Sequence, residues 1–308
     1  MDTQSPSAFQ GRTVALFAAC CLFWGALGTV VFLLIGHPII GAIFGTFLGV
    51  GYFVMGRLAS EKFVFDLYQA EILSSDVAPN LTEMVQELCI SAGVENPLLY
   101  VIPYAEPNAL AICRPPRSPA IVVTKGLTHK LSQDEVRAVM ALMIARIDDP
   151  DAPTWSLGAT LAGLPLYAAA SSSLRDRITG KLPADEASGI TVVDRIVLTC
   201  LVPLAAATVR LAFNAQHLAS VDRRAAAMVG NPETLASALA KIELEVPRSW
   251  WGGSTYNPAT ALLFAVPPVS SIARLEEGTT DFCRKAQTAF TSGAPTPDER
   301  ARQLLTTV

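Results

Sequence analysis

The sequence predicts a mainly helical α+β membrane protein, and three observations carry that reading. The chain of 308 residues is 51% apolar with a mean hydropathy of +0.39, above what an ordinary soluble enzyme shows. Two long uncharged runs lie near the N-terminus. Further along, short β-branched stretches bounded by proline alternate with amphipathic helical patterns.

Residues 13–35, TVALFAACCLFWGALGTVVFLLI, give 23 residues without a charge, and about 20 suffice to cross a hydrocarbon core of roughly 30 Å. After the turn GHP, residues 39–56 form a second uncharged run in which Gly41, Gly45, Gly49 and Gly51 would let a partner helix approach closely. The two predict a transmembrane hairpin. The first run is too long for the apolar region of a cleaved signal peptide and leads directly into the second, so it is expected to be retained. Arg12 before the hairpin and Arg57 and Lys62 after it, with no Lys or Arg in the turn, place both ends in the cytoplasm by the positive-inside rule.

Two later apolar stretches, 154–170 and 196–213, contain Pro165 and Pro203, and Arg210 near the end of the second is placed to snorkel. They read as a second transmembrane hairpin or as a buried or re-entrant pair. The loop between them carries Arg175, Arg177 and Lys181, which argues against two crossings.

Between the apolar pairs, residues 80–93 predict a helix capped by Asn80, with Glu83 three residues on, and ended by Gly93. Residues 98–102, 108–113 and 119–124 predict three strands of a small sheet. Ser132 and Glu135 stand in capping-box spacing at the start of a further helix, which is apolar on every face from Ala138 to Ala145 and so belongs in a core.

A net charge of −4 without a basic run excludes a nucleic-acid footprint. The cysteines at 20, 21, 89, 113, 200 and 283 form no C-x-x-C pair. They read as small buried hydrophobes, with neither a disulfide frame nor a cysteine metal site.

The order of these parts, with YAEPNALAICRPPRSPAIVVTKGLTHKLSQDEVRAVMA, SVDRRAAAMVGNPETLASALAKIE, NPATALLFAVPPVS and APTPDERARQLL, resembles the HtpX-like membrane zinc metallopeptidases, relatives of the CAAX prenyl endopeptidases. The resemblance implies a gluzincin-like domain in two parts, 57–153 and 214–308, around the second apolar pair at 154–213, behind a cytoplasmic segment 1–12 and the hairpin 13–56.

It also implies H-E-x-x-H after AVMA, since residues i and i+4 share a helix face and can hold one zinc. The matching positions here are Leu142, Met143 and Arg146. None can ligate zinc or serve as its general base: leucine has no lone pair, a thioether is a weak soft ligand, and a guanidinium is an obligate cation. The third ligand falls on Leu218, four residues before Asp222, and a histidine near the C-terminus on Ala294, while an arginine is retained as Arg300. His37, His129 and His217 lack i, i+4 partners. Asp148, Asp149 and Asp151 read as a solvated acidic loop with Asp151 capping the next helix.

The sequence therefore leads to the expectation of no metal and no cofactor, with Leu142, Met143 and Leu218 as apolar filling. Arg146 is expected to pair with Asp222 across two helices, against the alternatives of the nearby acidic loop or solvent. The resemblance further implies that Pro119, Ala120, Ile121, Val122, Val123 and Thr124 form an edge strand that pairs with extended polypeptide. The function expected is a non-catalytic pseudopeptidase in the cytoplasmic membrane of a bacterium, its domain in the cytoplasm, binding membrane proteins or extended peptides. The alternatives are an active membrane-bound endopeptidase with an atypical site and a structural membrane subunit with a closed groove.

Overall fold

Two long apolar helices lead the chain into a small mixed sheet. The structure is a computed structural model that describes residues 6–74, 76–113, 115, 117–169, 202–213, 215–249, 258–267 and 295–306. Helix α1 (Pro6–Leu33) and helix α2 (Pro38–Tyr68) form the expected hairpin. Within them, Gly11–Leu33 and Pro38–Leu58 are long and apolar enough to cross a membrane. Close packing explains the glycines: a Cβ on Gly28 would strike the Gly41 carbonyl, and one on Gly45 the Trp24 carbonyl. The outer faces stay bare, with Leu22 and Phe47 each 74% exposed, as a lipid-facing surface requires.

Helix α2 runs ten residues past its span, from 59 to 68, and so carries the hairpin into the rest of the protein. Its final residue Tyr68 is buried against Tyr104 and Phe264. Strand β1 (Glu71–Ile72) follows, then helix α3 (Pro79–Ala92). The expected Asn80 cap is not formed: Ala78 is the N-cap, without a side-chain hydrogen bond, and Pro79, with its fixed φ, opens the helix. Gly93 ends it at φ 68°, in the left-handed region.

Strands β2 (Leu98–Ile102), β3 (Ala109–Ile112) and β4 (Ala120–Thr124) complete a four-stranded sheet in the order β1-β2-β4-β3. Strand β4 lies parallel to β2, with Leu98 opposite Ala120, and antiparallel to β3, with Ala109 opposite Val123. The stretch Pro119 to Thr124 is therefore not an edge strand, which corrects the expectation. Every residue of β4 is buried, the pattern of a central strand covered on both faces. The edges belong to β1 and β3, and the chain covers part of the β3 edge: Phe264 bridges Leu110, and the Ala265 N–H donates to the Ala109 carbonyl at 2.7 Å.

A short helix α4 (Lys125–Lys130) leads to α5 (Gln133–Ile147), the buried helix of the core. The capping box forms as expected, Ser132 accepting from the Glu135 N–H and Glu135 reaching back to the Ser132 N–H. Helix α6 (Ala152–Ala169) packs against α2 and against α7 (Val202–Ala212). Gly158 meets Ala212 there, and Trp155 stacks on Phe213 with centroids 5.6 Å apart. The segment between α6 and α7 lies outside the described residues, as do Trp250, Trp251, Cys200, Cys283 and Ala294. Helices α8 (Ala215–Val229) and α9 (Pro232–Ser249) pack on α5; a 3-10 turn (Pro258–Leu263) precedes the Phe264 bridge, and α10 (Pro297–Thr306) closes the described chain.

Candidate functional site

Helix α5 brings Leu142, Met143 and Arg146 to the centre of the domain, all three buried. Leu142 and Met143 sit in the main apolar core as the sequence implied. Leu218, on α8, is also buried. His129 is exposed at the end of α4, away from this centre.

Arg146 does not pair with Asp222. Its Nη1 donates to three backbone carbonyls, those of Leu262 at 3.4 Å, Leu263 at 2.9 Å and Phe264 at 2.7 Å. Asp222 is taken by Arg300, whose Nε and Nη2 donate to its two carboxylate oxygens at 2.7 and 2.6 Å. The geometry decides the competition, because a planar guanidinium presenting two parallel N–H bonds satisfies a carboxylate fully. Arg300 uses its remaining nitrogen on the Ala265 carbonyl at 2.5 Å. Asn108 completes the set, its Nδ2 donating to the Val266 carbonyl at 2.9 Å. Five consecutive carbonyls, from Leu262 to Val266, are thus bound by three side chains from α5, α10 and the residue before β3.

The electrostatics follow from this arrangement. Two buried guanidiniums, Arg146 and Arg300, lie near one buried carboxylate, that of Asp222. Burial, followed by the charge of Arg300, pulls the Arg146 pKa down to about 9, with Asp222 acting in the opposite direction. The residue remains a cation at neutral pH.

The acidic turn after α5 is solvated only at Asp148, not at Asp149 and Asp151 as expected. Asp149 and Asp151 are each 4% exposed. Arg224 on α8 holds Asp149 at 2.6 Å and Asp148 at 3.3 Å, while Arg12 on α1 holds Asp151. The pairing has a plain cause, since buried carboxylates without partners would be too costly to keep charged.

The residues at the α5 site do not fit a zinc ion. Leu142 and Leu218 offer no donor, Met143 offers only a thioether, and Arg146 brings a positive charge already committed to carbonyls. Among the described residues no group of three or more histidines, cysteines, aspartates or glutamates could hold a metal ion. No chemical step is assigned to zinc here.

Sequence reasoning missed Asn108, Trp155 and the carbonyl acceptors of residues 262–266. No side-chain pattern marks a backbone carbonyl as the partner of a distant arginine. Asn108 did carry a signal, as a buried polar residue directly before a strand must find partners.

An apolar hairpin feeding a mixed sheet packed on a largely buried helix defines a helix-rich α+β protein with a membrane-type anchor. The family model described as peptidase family M48 matches residues 75–308, and the chain belongs to that family. It is similar to the protein named Protease HtpX homolog from Syntrophobacter fumaroxidans, 36% identical over 219 residues that cover 70% of this chain and 77% of the relative. A relative of the same name from Acaryochloris marina is 34% identical over 250 residues, 79% of this chain and 84% of its own. One from Ralstonia pickettii is 32% identical over 245 residues, 78% and 84% of the two chains. No solved structure matches.

These findings overturn the expectation of a non-catalytic protein. The family is one of peptidases and the relatives are named as proteases across most of this chain, which favours an active membrane-bound endopeptidase. Missing ligands on α5 and α8 are evidence about that one site, not about what the whole chain does.

Proposed function

We propose that the chain is a membrane-bound endopeptidase whose site differs from the zinc helix that the resemblance implies, and that its substrates are membrane proteins or extended polypeptides. The observation that carries this reading is the similarity to proteins named as HtpX-type proteases over 70% or more of the chain. Helix α5 contributes no zinc ligand to it, so the chemistry is expected to be insensitive to chelators. Two apolar helices of spanning length support placement in a membrane. Arg12, Arg57 and Lys62 on the same side of the hairpin support a domain facing the cytoplasm of a bacterium.

The test is cleavage of an unfolded membrane protein by the purified full chain in detergent, followed by gel and mass spectrometry with and without a zinc chelator. Cleavage that survives the chelator is the expected result. Absence of cleavage across a panel of unfolded membrane substrates, or cleavage abolished by chelator and restored by zinc, overturns the proposal.

A further inference from the structure

We infer that strand β1 (Glu71–Ile72) is a docking edge for an extended, Lys- and Arg-bearing segment of another membrane protein, taken up as an added strand close to where α2 leaves its span. The identity of the occupant rests on the proposed reading of the chain as a peptidase of membrane proteins, while the edge itself stands on geometry. The sheet has two edges; that of β3 is partly covered by Phe264 and Ala265, and among the described residues no strand pairs with that of β1. The register shows which groups face outward. The Leu73 N–H donates to the Leu99 carbonyl at 2.9 Å, and Ile72 stands opposite Tyr100. Such pairs alternate along an antiparallel ladder, so the peptide groups of Glu71 and Leu73 turn towards β2 and those of Ile72 turn away from it. Among the described residues nothing receives the Ile72 N–H or donates to its carbonyl. The Ile72 side chain is 75% exposed, and Leu98, exposed on the same face two residues before Tyr100, extends the apolar contact open to an added strand.

Charge selects the occupant. Residues 63–113 carry seven Asp and Glu and no Lys or Arg. Three of these acids, Asp66, Glu71 and Asp76, lie within six residues of Ile72 along the chain; all three are exposed, and none forms an ion pair among the described residues. Of the cations on other elements, Arg117 is held by Glu61 and Arg137 by Glu87. Lys62 lies one helical turn nearer the span than Asp66 and forms no pair with it. Helix α2 carries the chain about 15 Å beyond Leu58 before β1 begins, a distance that about five extended residues cover. Cytoplasmic segments that adjoin a membrane span are enriched in Lys and Arg, so a substrate chain leaving the bilayer beside the hairpin brings its basic flank within reach of this edge. Main-chain pairing asks for no particular side chains, and the surrounding carboxylates favour cationic ones; together they select a class of substrate, not a single sequence.

Equilibrium binding to the full chain in detergent tests the edge, read by fluorescence anisotropy of a short labelled peptide of alternating Lys and Thr against one of alternating Glu and Thr. Binding is read whether or not the chain cleaves, so failure of the peptidase reading and failure of the docking edge show up in separate assays. The Lys peptide should bind saturably, more weakly as salt rises, and the Glu peptide should not bind. Ile72→Pro removes the outward N–H and spares the ladder, whose bonds belong to the neighbouring residues. It should weaken the Lys peptide about tenfold. Asp66→Asn, Glu71→Gln and Asp76→Asn together should also weaken it and flatten its salt dependence. No saturable binding by the wild type, equal binding of the two peptides, or unchanged affinity in Ile72→Pro overturns the inference. Should Ile72→Pro fail to fold, a Lys peptide N-methylated throughout, which has no N–H to pair with a strand, is tested on the wild type: lost binding supports the edge, and undiminished binding refutes it.

Discussion

Removing the carboxylate of Asp222 would leave Arg300 and Arg146 buried together without a counter-charge, a sharper test of the central cluster than removing either arginine. Breaking a buried pair in this way costs roughly 3–5 kcal/mol, so Asp222→Asn should unfold well below wild type by calorimetry, even though the amide keeps nearly the same volume. An unchanged midpoint would mean that the pair contributes nothing. A second prediction concerns Glu135. Its burial raises the carboxyl pKa, but hydrogen bonds from Lys241, Ser132 and Ser237 together outweigh that and hold it at about 2. A folded pKa below the unfolded one contributes stability above the ordinary carboxylate range and loses it as pH falls toward 2. Glu135→Gln should therefore flatten the acid side of the stability profile between about pH 4 and 2, and an unaltered profile would refute the assignment. The capping role of Glu135 was legible from its spacing to Ser132. The partner of Arg146 was not, because sequence marks charged partners and the acceptors turned out to be carbonyls of residues 262–264.

The hairpin and the sheet show what periodicity can and cannot locate. Runs of uncharged residues gave α1 and α2, and β-branched runs gave β2 and β4, because each signal is local. The place of β4 inside the sheet was not legible, since strand order depends on which segments meet in space. Its unbroken burial pattern is nonetheless what a central strand needs. The glycine seam of the hairpin yields a prediction at the same scale. Gly45→Leu places a side chain where the Trp24 backbone already lies. It should separate α1 from α2, lowering the unfolding midpoint in detergent and the efficiency of a disulfide engineered across the helices. The same substitution at Gly51, whose Cβ position is open, should leave both readings near wild type.

At the scale of the whole molecule, the apolar hairpin is tied to the rest of the described chain at several points. Tyr68 at the end of α2 bonds Thr260, Arg12 on α1 holds Asp151 ahead of α6, and the segment 262–266 is bound by α5, α10 and Asn108. Disturbing the hairpin should therefore loosen the domain. Arg12→Ala, which removes the guanidinium that ties α1 to the buried Asp151, is expected to speed limited proteolysis between α5 and α6. The chain belongs to peptidase family M48, its proposed activity is that of a membrane endopeptidase, and helix α5 carries no zinc ligand. The most direct measurement is the zinc content of the purified, proteolytically assayed protein, taken on the same sample before and after chelation. The expected result is cleavage of an unfolded membrane substrate by protein lacking stoichiometric zinc, at a rate that chelation leaves unchanged. One zinc per chain, lost together with activity on chelation, would contradict it.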